Sequence, residues 1–461
     1  MNTFLFFDDF MLDHSEGIRK RHFTPRRTGV FQPEGISAGS SLVHGREGGR
    51  YILYYSSIKD MSRDWDREIL YATGSDGVNF TPAGRIDDIR RTGSLFVNRD
   101  THENNPARRY KAVVMKMDKD ADNRGYGCVI ASRDGIHWDT DTPWKVMDHP
   151  SDTSNNVFYN PVLGKYQVIC RGGFIDRRIT SYFSKDLETW SDPVLLLAPT
   201  PFDEPFTQYY GMTVFPMDGM FLGFLQLYRT DPRDTVWSKM AGKVDCALVY
   251  SYNGIVWNRA SRDVLIPRPA PPEFGSSCLY LSNMVETPSG DEWIIASSGS
   301  RADHGCGFAP AYPGWEYPQL AKDCGNWGVV FHGIRKHGFT ALESFSRTAS
   351  LRFKGMHLTG DDLHFNLSCP AGYVKFRVLD ESYAPYPGFG YEESIPFTGD
   401  SLKVVPRWKD KDMRELRGRR IFLELEIQNC LLYSMEGDLH PYHAAKPYMN
   451  LGFPLPMTEE T

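Results

Sequence analysis

The sequence lacks the features that define several large classes of protein. No run of about 18 apolar residues occurs, which argues against a membrane-spanning helix. The 52 lysines and arginines are outnumbered by 58 aspartates and glutamates, so a formal net charge of -6 provides no broad positive field for a nucleic acid. We therefore expect neither a membrane nor a nucleic acid as a partner.

Targeting and cofactor signals are also missing. Asp8 and Asp9 follow Phe6 and Phe7 directly, without the basic start and long apolar core of a secretory signal. The eight cysteines are spread singly and form no CxxC pair, which argues against a zinc ribbon or a redox motif. We expect buried free thiols in a cytoplasmic protein, with a signal trimmed from this sequence as the alternative. No HExxH, P-loop or dinucleotide-binding context is present, so we predict no metal ion and no cofactor.

Turn-forming and aromatic residues are plentiful. The 461 residues include 41 glycines and 30 prolines, and 13% are aromatic. Glycine and proline favour turns, and aromatic side chains are enriched in strands. The composition therefore favours an all-β fold.

A short pattern recurs five times: a strand, a tight turn with Asp or Asn before Gly, and then an aromatic residue. The turn residues of the successive copies are Asp76, Asp134, Asp186, Asn253 and, in degenerate form, His337. Two further predicted strands precede each copy, which gives about four strands per repeat. An isolated sheet of this size cannot bury both faces, whereas blades packed in a ring bury one another. We predict a five-bladed β-propeller over residues 1–345.

The pattern stops near residue 345, and a different arrangement follows. Alternating apolar strands without the repeated turn predict a β-sandwich over residues 346–437. Residues 438–461 are rich in proline and are expected to form an irregular tail.

Several segments resemble a large group of glycoside-hydrolase-like proteins. The segments that carry the resemblance are Leu5–Leu12, Ser151–Phe158, Tyr209–Met212, Gly399–Ser401, Val405–Trp408, Leu416–Leu423 and Leu432–Ser434. The group is related to the N-terminal propeller of glycoside hydrolase family 32, which shares a clan with family 43. The resemblance covers about residues 4 to 435. It implies a propeller with a β-sandwich behind it and a glycosidase site in the axial funnel, lined by the innermost strand of each blade.

Hydrolysis of a glycoside requires two carboxyl groups across the scissile bond. We therefore consider acids at or near the predicted inner strands as catalytic candidates. They are Asp152, Asp100, Glu204 and Glu273, and the resemblance, which implies an early aspartate in the funnel, adds Asp9 in preference to Asp8. Each has a structural alternative, because an acid there can also cap a turn, tie down the N-terminus or lie on a loop surface.

Other polar and aromatic residues near the same strands are candidates for binding the substrate. They are Asn155, Asn156, Arg171, Tyr209, Tyr210, Arg301 and His304. Amides and guanidinium groups suit sugar hydroxyls, carboxylates or phosphate, and the rings of Tyr209, Tyr210 and Tyr228 can stack on a sugar. The tyrosines can equally serve as packing between blades.

Three functions are compatible with these residues. The first is a glycoside hydrolase acting on a small or terminal glycoside with two carboxylates. The second is a phosphate-dependent glycoside phosphorylase, with Arg171, Arg301 and His304 as the basic cluster. The third is a carbohydrate-binding propeller without catalysis. All three imply a carbohydrate partner, and association with further copies of the chain is left open.

Overall fold

The structure is a computed structural model that describes residues 2–33, 36–45, 49–58, 67–89, 95–117, 125–173, 176–230, 242–304 and 327–441. Within these ranges the regular structure is almost entirely β, with short 3₁₀ turns at Pro106–Arg108 and Met413–Leu416. The chain divides into two units. Phe23–Phe339 form the first, and Met1–His22 together with Thr340–Thr461 form the second.

Four short strands open the chain. They are β1 (Asn2–Leu5), β2 (Leu12–Glu16), β3 (Ile18–His22) and β4 (Arg26–Phe31). Strands β1, β2 and β3 belong to the second unit, whereas β4 belongs to the first.

The first unit contains five groups of four strands among its described residues, and we number them blades 1 to 5. Blades 1 to 3 are separate antiparallel sheets, whereas blades 4 and 5 are joined into one eight-stranded sheet by a parallel pairing of Val244 with Cys278. Blade 1 has β5 (Ile36–Gly45), β6 (Arg50–Ile58), β7 (Arg67–Gly74) and β8 (Thr81–Arg85). Blade 2 has β9 (Val97–Arg99), β10 (Tyr110–Met117), β11 (Gly125–Ser132) and β12 (Trp138–Met147). Blade 3 has β13 (Asn156–Asn160), β14 (Lys165–Arg171), β15 (Ile179–Ser184) and β16 (Val194–Leu197). Blade 4 has β17 (Thr207–Met217), β18 (Met220–Thr230), β19 (Gly242–Ser251) and β20 (Asn258–Arg259). Blade 5 has β21 (Cys278–Glu286), β22 (Glu292–Ser300), β23 (Trp327–Arg335) and, as its fourth strand, β4.

The blades form a closed ring. The first strand of each blade contacts the first strand of the next: β5 meets β9, β9 meets β13, β13 meets β17, β17 meets β21 and β21 meets β5. These first strands are therefore the innermost ones. The outer strand of blade 5 is β4, which pairs antiparallel with β23 and so joins the two ends of the ring. The predicted propeller fold is confirmed, whereas the closure of the ring by the N-terminal strand β4 was not predicted.

The repeated turn is built by local hydrogen bonds between side chains and backbone. In blade 2, Oδ1 of Asp134 accepts from the backbone N–H groups of Ile136 and His137 at 2.8 and 2.9 Å. Gly135 has a φ of 81°, and its carbonyl accepts the indole N–H of Trp138 at 3.0 Å. Equivalent pairs of backbone N–H bonds are made by Asp76, Asp186 and Asn253. The motif recurs because it closes the third and fourth strands of a blade.

In four of the five copies, the aromatic residue of the turn packs between blades. Trp138 lies in one apolar cluster with residues of blades 1 and 2, and Trp257 lies in another with residues of blades 3 and 4. Trp190 packs against a cluster from blades 2 and 3, and Phe80 packs against one from blades 5 and 1. The repeated aromatic residues therefore contribute to the apolar contact that holds neighbouring blades together.

The second unit adds six strands to β1, β2 and β3. They are β24 (Thr340–Ser344), β25 (Ala349–Phe353), β26 (Met356–Leu379), β27 (Phe397–Val404), β28 (Arg420–Gln428) and β29 (Leu431–Pro441). The long strand β26 pairs with β27, β28 and β29 along different parts of its length. In the described part of this unit, nine strands are linked in one hydrogen-bonded sheet and share one apolar core.

The division of the chain differs from the sequence-based boundaries of 1–345 and 346–437. Residues 1–22 do not join the propeller, because β1 pairs with β29, β2 pairs with β25 and β3 pairs with β24. The propeller unit ends at Phe339. Of the predicted tail, residues 438–441 continue β29, and residues 442–461 lie outside the described ranges.

Neither a disulfide nor a membrane-spanning helix occurs among the described residues. The six cysteines in the described ranges are buried, and none forms a disulfide. None of the described residues belongs to a helix of the length and apolarity needed to cross a membrane.

Candidate functional site

One edge of the propeller sheets collects several of the predicted site residues. The second strand of each blade runs antiparallel to the first, so the start of the first strand and the end of the second share an edge, which we call the upper edge. Asp152 precedes β13, and Arg171 is the last residue of β14. His304 follows β22, the second strand of blade 5. The topology therefore places all three at the upper edge.

At this edge, seven side chains from three blades form what we call the arginine–tyrosine cluster. Its members are Asp152, Arg171 and Arg177 of blade 3, Tyr210 and Tyr228 of blade 4, and Tyr280 and His304 of blade 5. The cluster therefore combines one carboxylate, two guanidinium groups and four rings.

The ionic part of the cluster centres on Arg171. Its guanidinium group forms an ion pair with the carboxylate of Asp152, which is 64% exposed while Arg171 is only 18% exposed. The Cζ atom of Arg171 lies 5.3 Å from the ring centroid of Tyr210. Cζ of Arg177 lies 5.7 Å from the same centroid and 4.9 Å from that of Tyr228. The rings thus stabilise two guanidinium groups that lie close together.

The rings pack on one another across blades 4 and 5. The ring centroid of His304 is 4.9 Å from those of both Tyr210 and Tyr228. The hydroxyl oxygen of Tyr280 lies 3.0 Å from Nδ1 of His304, which places a hydrogen bond between them. The rings of Tyr210 and Tyr280 are 5.7 Å apart. This packing fixes the orientation of the imidazole.

Burial sets the protonation states of the cluster. Burial, with a further contribution from the guanidinium group of Arg177, lowers the pKa of His304 to about 3, so the imidazole is neutral at pH 7. Burial also raises the pKa of Tyr210 and Tyr228, and their hydroxyl groups keep their protons. Burial and the neighbouring Arg171 lower the pKa of Arg177, but a guanidinium group stays charged at neutral pH. The charged members at pH 7 are therefore Asp152 and the two arginines.

Asn155 and Asn156 are buried supports of the loop that carries Asp152. Nδ2 of Asn155 donates to the carbonyl of Ser151 at 2.6 Å, and its Oδ1 accepts from the hydroxyl of Ser151 at 2.7 Å. Oδ1 of Asn156 accepts from the backbone N–H of Val214 at 3.2 Å. The first two bonds hold the segment before β13 in a fixed turn, and the third joins the start of β13 to β17.

Tyr209 is not part of the cluster, although Tyr210 is. Its hydroxyl donates to Oδ2 of Asp203 at 2.9 Å and accepts from Arg259 at 3.2 Å. The register of β17 shifts between Tyr209, which pairs with Leu227, and Gly211, which pairs with Gln226, so a β-bulge separates the surroundings of Tyr209 from those of Tyr210. Tyr209 consequently packs in the apolar cluster between blades 3 and 4.

Glu204 belongs to a chain of ion pairs, and no residue of the arginine–tyrosine cluster takes part in that chain. It pairs with Arg229, whose Nε lies 2.8 Å from Oδ2 of the buried Asp245. Oδ1 of Asp245 lies 2.7 Å from Nε of Arg268. This chain joins the loop before β17 to β18 and β19.

The other blade 5 candidates have different neighbours. Oε2 of Glu273 lies 2.9 Å from Arg27 of β4. Cζ of Arg301 lies 3.9 Å from the ring centroid of Phe274, in a cation–π contact. Among the described residues, neither Glu273 nor Arg301 contacts Asp152.

Asp100 lies at the opposite edge, because it follows the end of β9 rather than preceding its start. Its carboxylate is 2.7 Å from Nζ of Lys111, and the exposed fractions of the two side chains are 5% and 1%. Oδ1 of Asp100 also accepts from the backbone N–H of His102 at 2.9 Å. Asp100 is therefore part of a buried ionic group that closes the loop between β9 and β10.

Asp9 lies in the second unit, between β1 and β2. Its carboxylate is 76% exposed, with Oδ1 2.7 Å from Nζ of Lys20 in β3. The resemblance places an early acid in the funnel, but pairing of the first three strands with the C-terminal strands puts Asp9 in the other unit.

Two members of the cluster were absent from the sequence-based candidates, Arg177 and Tyr280. Arg177 lies in the connection after β14, six positions after Arg171. Tyr280 lies near the start of an inner strand, as Tyr210 does. Their positions relative to the predicted strands provided a signal, since both fall at the upper edge. Among described residues, no group of three or more His, Cys, Asp or Glu side chains is arranged to hold a metal ion.

Comparison with known proteins gives only distant similarities. No protein-family model matches the chain, and no curated protein matches it. Among solved structures, an N-acetylgalactosamine deacetylase from F. plautii is 14% identical, with a TM-score of 0.45 over 69% of this chain and 96% of that one. An endo-arabinase from Bacteroides thetaiotaomicron is 13% identical, with a TM-score of 0.42 over 60% and 95%. A family 43 β-xylosidase/α-arabinofuranosidase from a compost metagenome is 13% identical, with a TM-score of 0.41 over 69% and 98%. At TM-scores below 0.5 these similarities do not identify an activity.

Proposed function

We propose that the propeller is a glycoside hydrolase whose saccharide binds at the arginine–tyrosine cluster. The observation that carries the proposal is the meeting of Asp152, Tyr210 and His304, from blades 3, 4 and 5, at one edge of the inner strands. A site shared by several blades surrounds a ligand from more than one side. The resemblance of Ser151–Phe158 and Tyr209–Met212 to glycoside-hydrolase-like propellers supports a saccharide as that ligand.

The side chains of the cluster suit different parts of the reaction. The exposed carboxylate of Asp152 is available to a substrate, and its ion pair with Arg171 fixes its direction. In glycoside hydrolysis such a carboxylate attacks the anomeric carbon or activates the attacking water, while a second carboxyl group protonates the leaving oxygen. His304 is neutral and held by Tyr280, so it can hydrogen-bond to a sugar hydroxyl without supplying charge.

A carbohydrate-binding propeller without catalysis is the second candidate. Asp152 is the one carboxylate that the described residues bring into the cluster, and hydrolysis by the usual route needs two. The two candidates differ in what neutralisation of Asp152 does. A hydrolase loses turnover and keeps much of its affinity for the saccharide, whereas a binding protein shows no turnover in either form.

The test is a screen of aryl and natural glycosides with the wild-type protein and Asp152→Asn. We expect kcat/KM to fall by about 10²- to 10⁴-fold in Asp152→Asn, since a positioned acid or base contributes a factor of this order. Asp148→Asn is the matched control, because Asp148 is also an exposed carboxylate paired with a cation, Lys145. No product from any glycoside, together with saccharide binding that Asp152→Asn retains, would favour the binding protein.

A further inference from the structure

The charges of the arginine–tyrosine cluster do not balance. Arg171 and Arg177 are both cationic, and Asp152 is the carboxylate that faces them among the described residues. His304 and the three tyrosines are neutral at pH 7. The nearby Asp303 is 3.8 Å from Lys243, so it has a cation of its own. Among the described residues, the cluster therefore carries one positive charge in excess.

Both guanidinium groups, of Arg171 and of Arg177, have N–H donors that no carboxylate of the described residues accepts. Asp152 pairs with Nη2 of Arg171, and Nη1 of Arg171 is buried without a hydrogen-bond partner among the described residues. Arg177 donates from Nη1 to Oε1 of Gln208 at 3.0 Å and has no carboxylate partner in the described part of the chain. A buried donor without an acceptor is costly, and it is satisfied when a ligand supplies the oxygen.

We propose that Arg171 and Arg177 bind an oxyanion that enters with the saccharide. This inference rests on the proposed function, since it takes the cluster as the saccharide site. Guanidinium forks match the paired oxygens of carboxylate and phosphate groups, and the site already uses one fork on the carboxylate of Asp152. The oxyanion is either the carboxylate of a uronic acid unit or free inorganic phosphate, and both present the same chemistry to the two arginines.

The experiment measures binding to the full chain by calorimetry and by the shift in Tm. The probes are galacturonate and glucuronate, the neutral sugars galactose and glucose, and inorganic phosphate, each at constant ionic strength. The variants are Arg177→Gln and Arg177→Lys, with Arg178→Gln as the matched control. Arg178 is in the same connection but pairs with Asp176. Arg177→Lys keeps the charge and the fold if Arg177→Gln is unstable.

We expect an anionic probe to bind at least about 10-fold more tightly than the neutral sugars, since a charge-assisted hydrogen bond is worth a factor of about 10 to 100. Arg177→Gln should remove this preference, Arg177→Lys should reduce it, and Arg178→Gln should retain it. Preference for the uronates identifies a sugar carboxylate, and preference for phosphate identifies free phosphate. Either result supports the oxyanion site.

Two results would overturn the inference. One is equal affinity for charged and neutral sugars without any effect of phosphate, and the other is an anion preference that Arg177→Gln leaves intact. Failure of the proposed function looks different. If neutral glycosides are hydrolysed in a manner that depends on Asp152, the hydrolase stands and the oxyanion site falls. If anions bind through Arg177 and no glycoside is cleaved, the oxyanion site stands and the hydrolase falls.

Discussion

Replacement of Lys111 by methionine tests how the loop between β9 and β10 is stabilised. The Lys111 side chain is 1% exposed, and its Nζ lies 2.7 Å from Asp100 and 3.1 Å from Glu103. Nζ also donates to the carbonyl of Arg108 at 2.9 Å. The ammonium group thus has three partners. Lys111→Met keeps most of the aliphatic chain and leaves two carboxylates that repel each other without a cation between them.

The expected loss is large because the pair is buried. Removing one partner of a buried ion pair costs about 3–5 kcal/mol. The comparison is Lys145→Met, since Lys145 and Asp148 form a pair with exposed fractions of 54% and 88%. An exposed pair contributes at most about 1 kcal/mol. With an m-value of about 3 kcal/mol per molar urea, Lys111→Met should lower the unfolding midpoint by about 1 to 1.7 M.

Urea-induced unfolding followed by tryptophan fluorescence measures both variants. The double variant Lys111→Met/Asp100→Asn should recover part of the loss, because it removes one of the two facing carboxylates. An equal effect of Lys111→Met and Lys145→Met would refute the reasoning. The single variant Asp100→Asn addresses the catalytic prediction for Asp100: if it is fully folded, a fall in kcat/KM as large as that of Asp152→Asn would restore Asp100 as a catalytic residue.

Three further predictions concern stability. The carboxylate of Glu436, 3.7 Å from Nε2 of His364, and that of Asp362, hydrogen-bonded to Nδ1 at 2.8 Å, raise the pKa of His364. The stabilisation is therefore full below the unfolded-state pKa of about 6.5 and is lost as pH rises through the folded pKa. Thermal unfolding from pH 6 to 8.5 should show this loss in the wild type and not in His364→Gln. Gly254 and Gly290 both have positive φ, but a Cβ at Gly254 would lie 2.6 Å from Nδ2 of Asn160, whereas a Cβ at Gly290 would meet open space. Calorimetry should therefore show a larger drop in Tm for Gly254→Ala than for Gly290→Ala. Trp257→Ala should cost about 3–5 kcal/mol in urea unfolding, because the buried indole fills the contact between blades 3 and 4, and a loss below about 1 kcal/mol would contradict that role.

Much of the candidate site could be predicted from position along the chain. Asp152, Arg171, Tyr210 and His304 were all predicted, and the structure brings them together. Their residue type and their distance from a predicted strand end provided the signal, since the starts of first strands and the ends of second strands share an edge. The same reasoning could not separate Tyr209 from Tyr210, because the face of a strand on which a side chain lies depends on register.

The acids show where position alone fails. Glu204 and Glu273 also precede inner strands, yet each pairs with an arginine outside the cluster, Arg229 and Arg27. Asp100 was predicted at the funnel but follows its strand, so it lies at the opposite edge. An ion pair between residues far apart in the chain leaves no mark in the local sequence, and the partner that an acid finds is decided only when the blades pack.

The sequence by itself determined the repeat. In the turn around Asp134, the hydrogen bonds to Ile136 and His137, the positive φ of Gly135 and the indole bond of Trp138 all fall within five consecutive residues. Such a motif forms from local chemistry, and its recurrence implies blades that pack side by side.

Only the tertiary structure decided how the ring closes and where the N-terminus goes. Strand β4 pairs with β23 about 300 residues later in the chain, and β1 pairs with β29 more than 400 residues later. Strand-forming residues specify a strand, but they do not specify which distant edge it completes. That choice depends on which edge remains unpaired after the blades assemble, and this is a property of the whole chain.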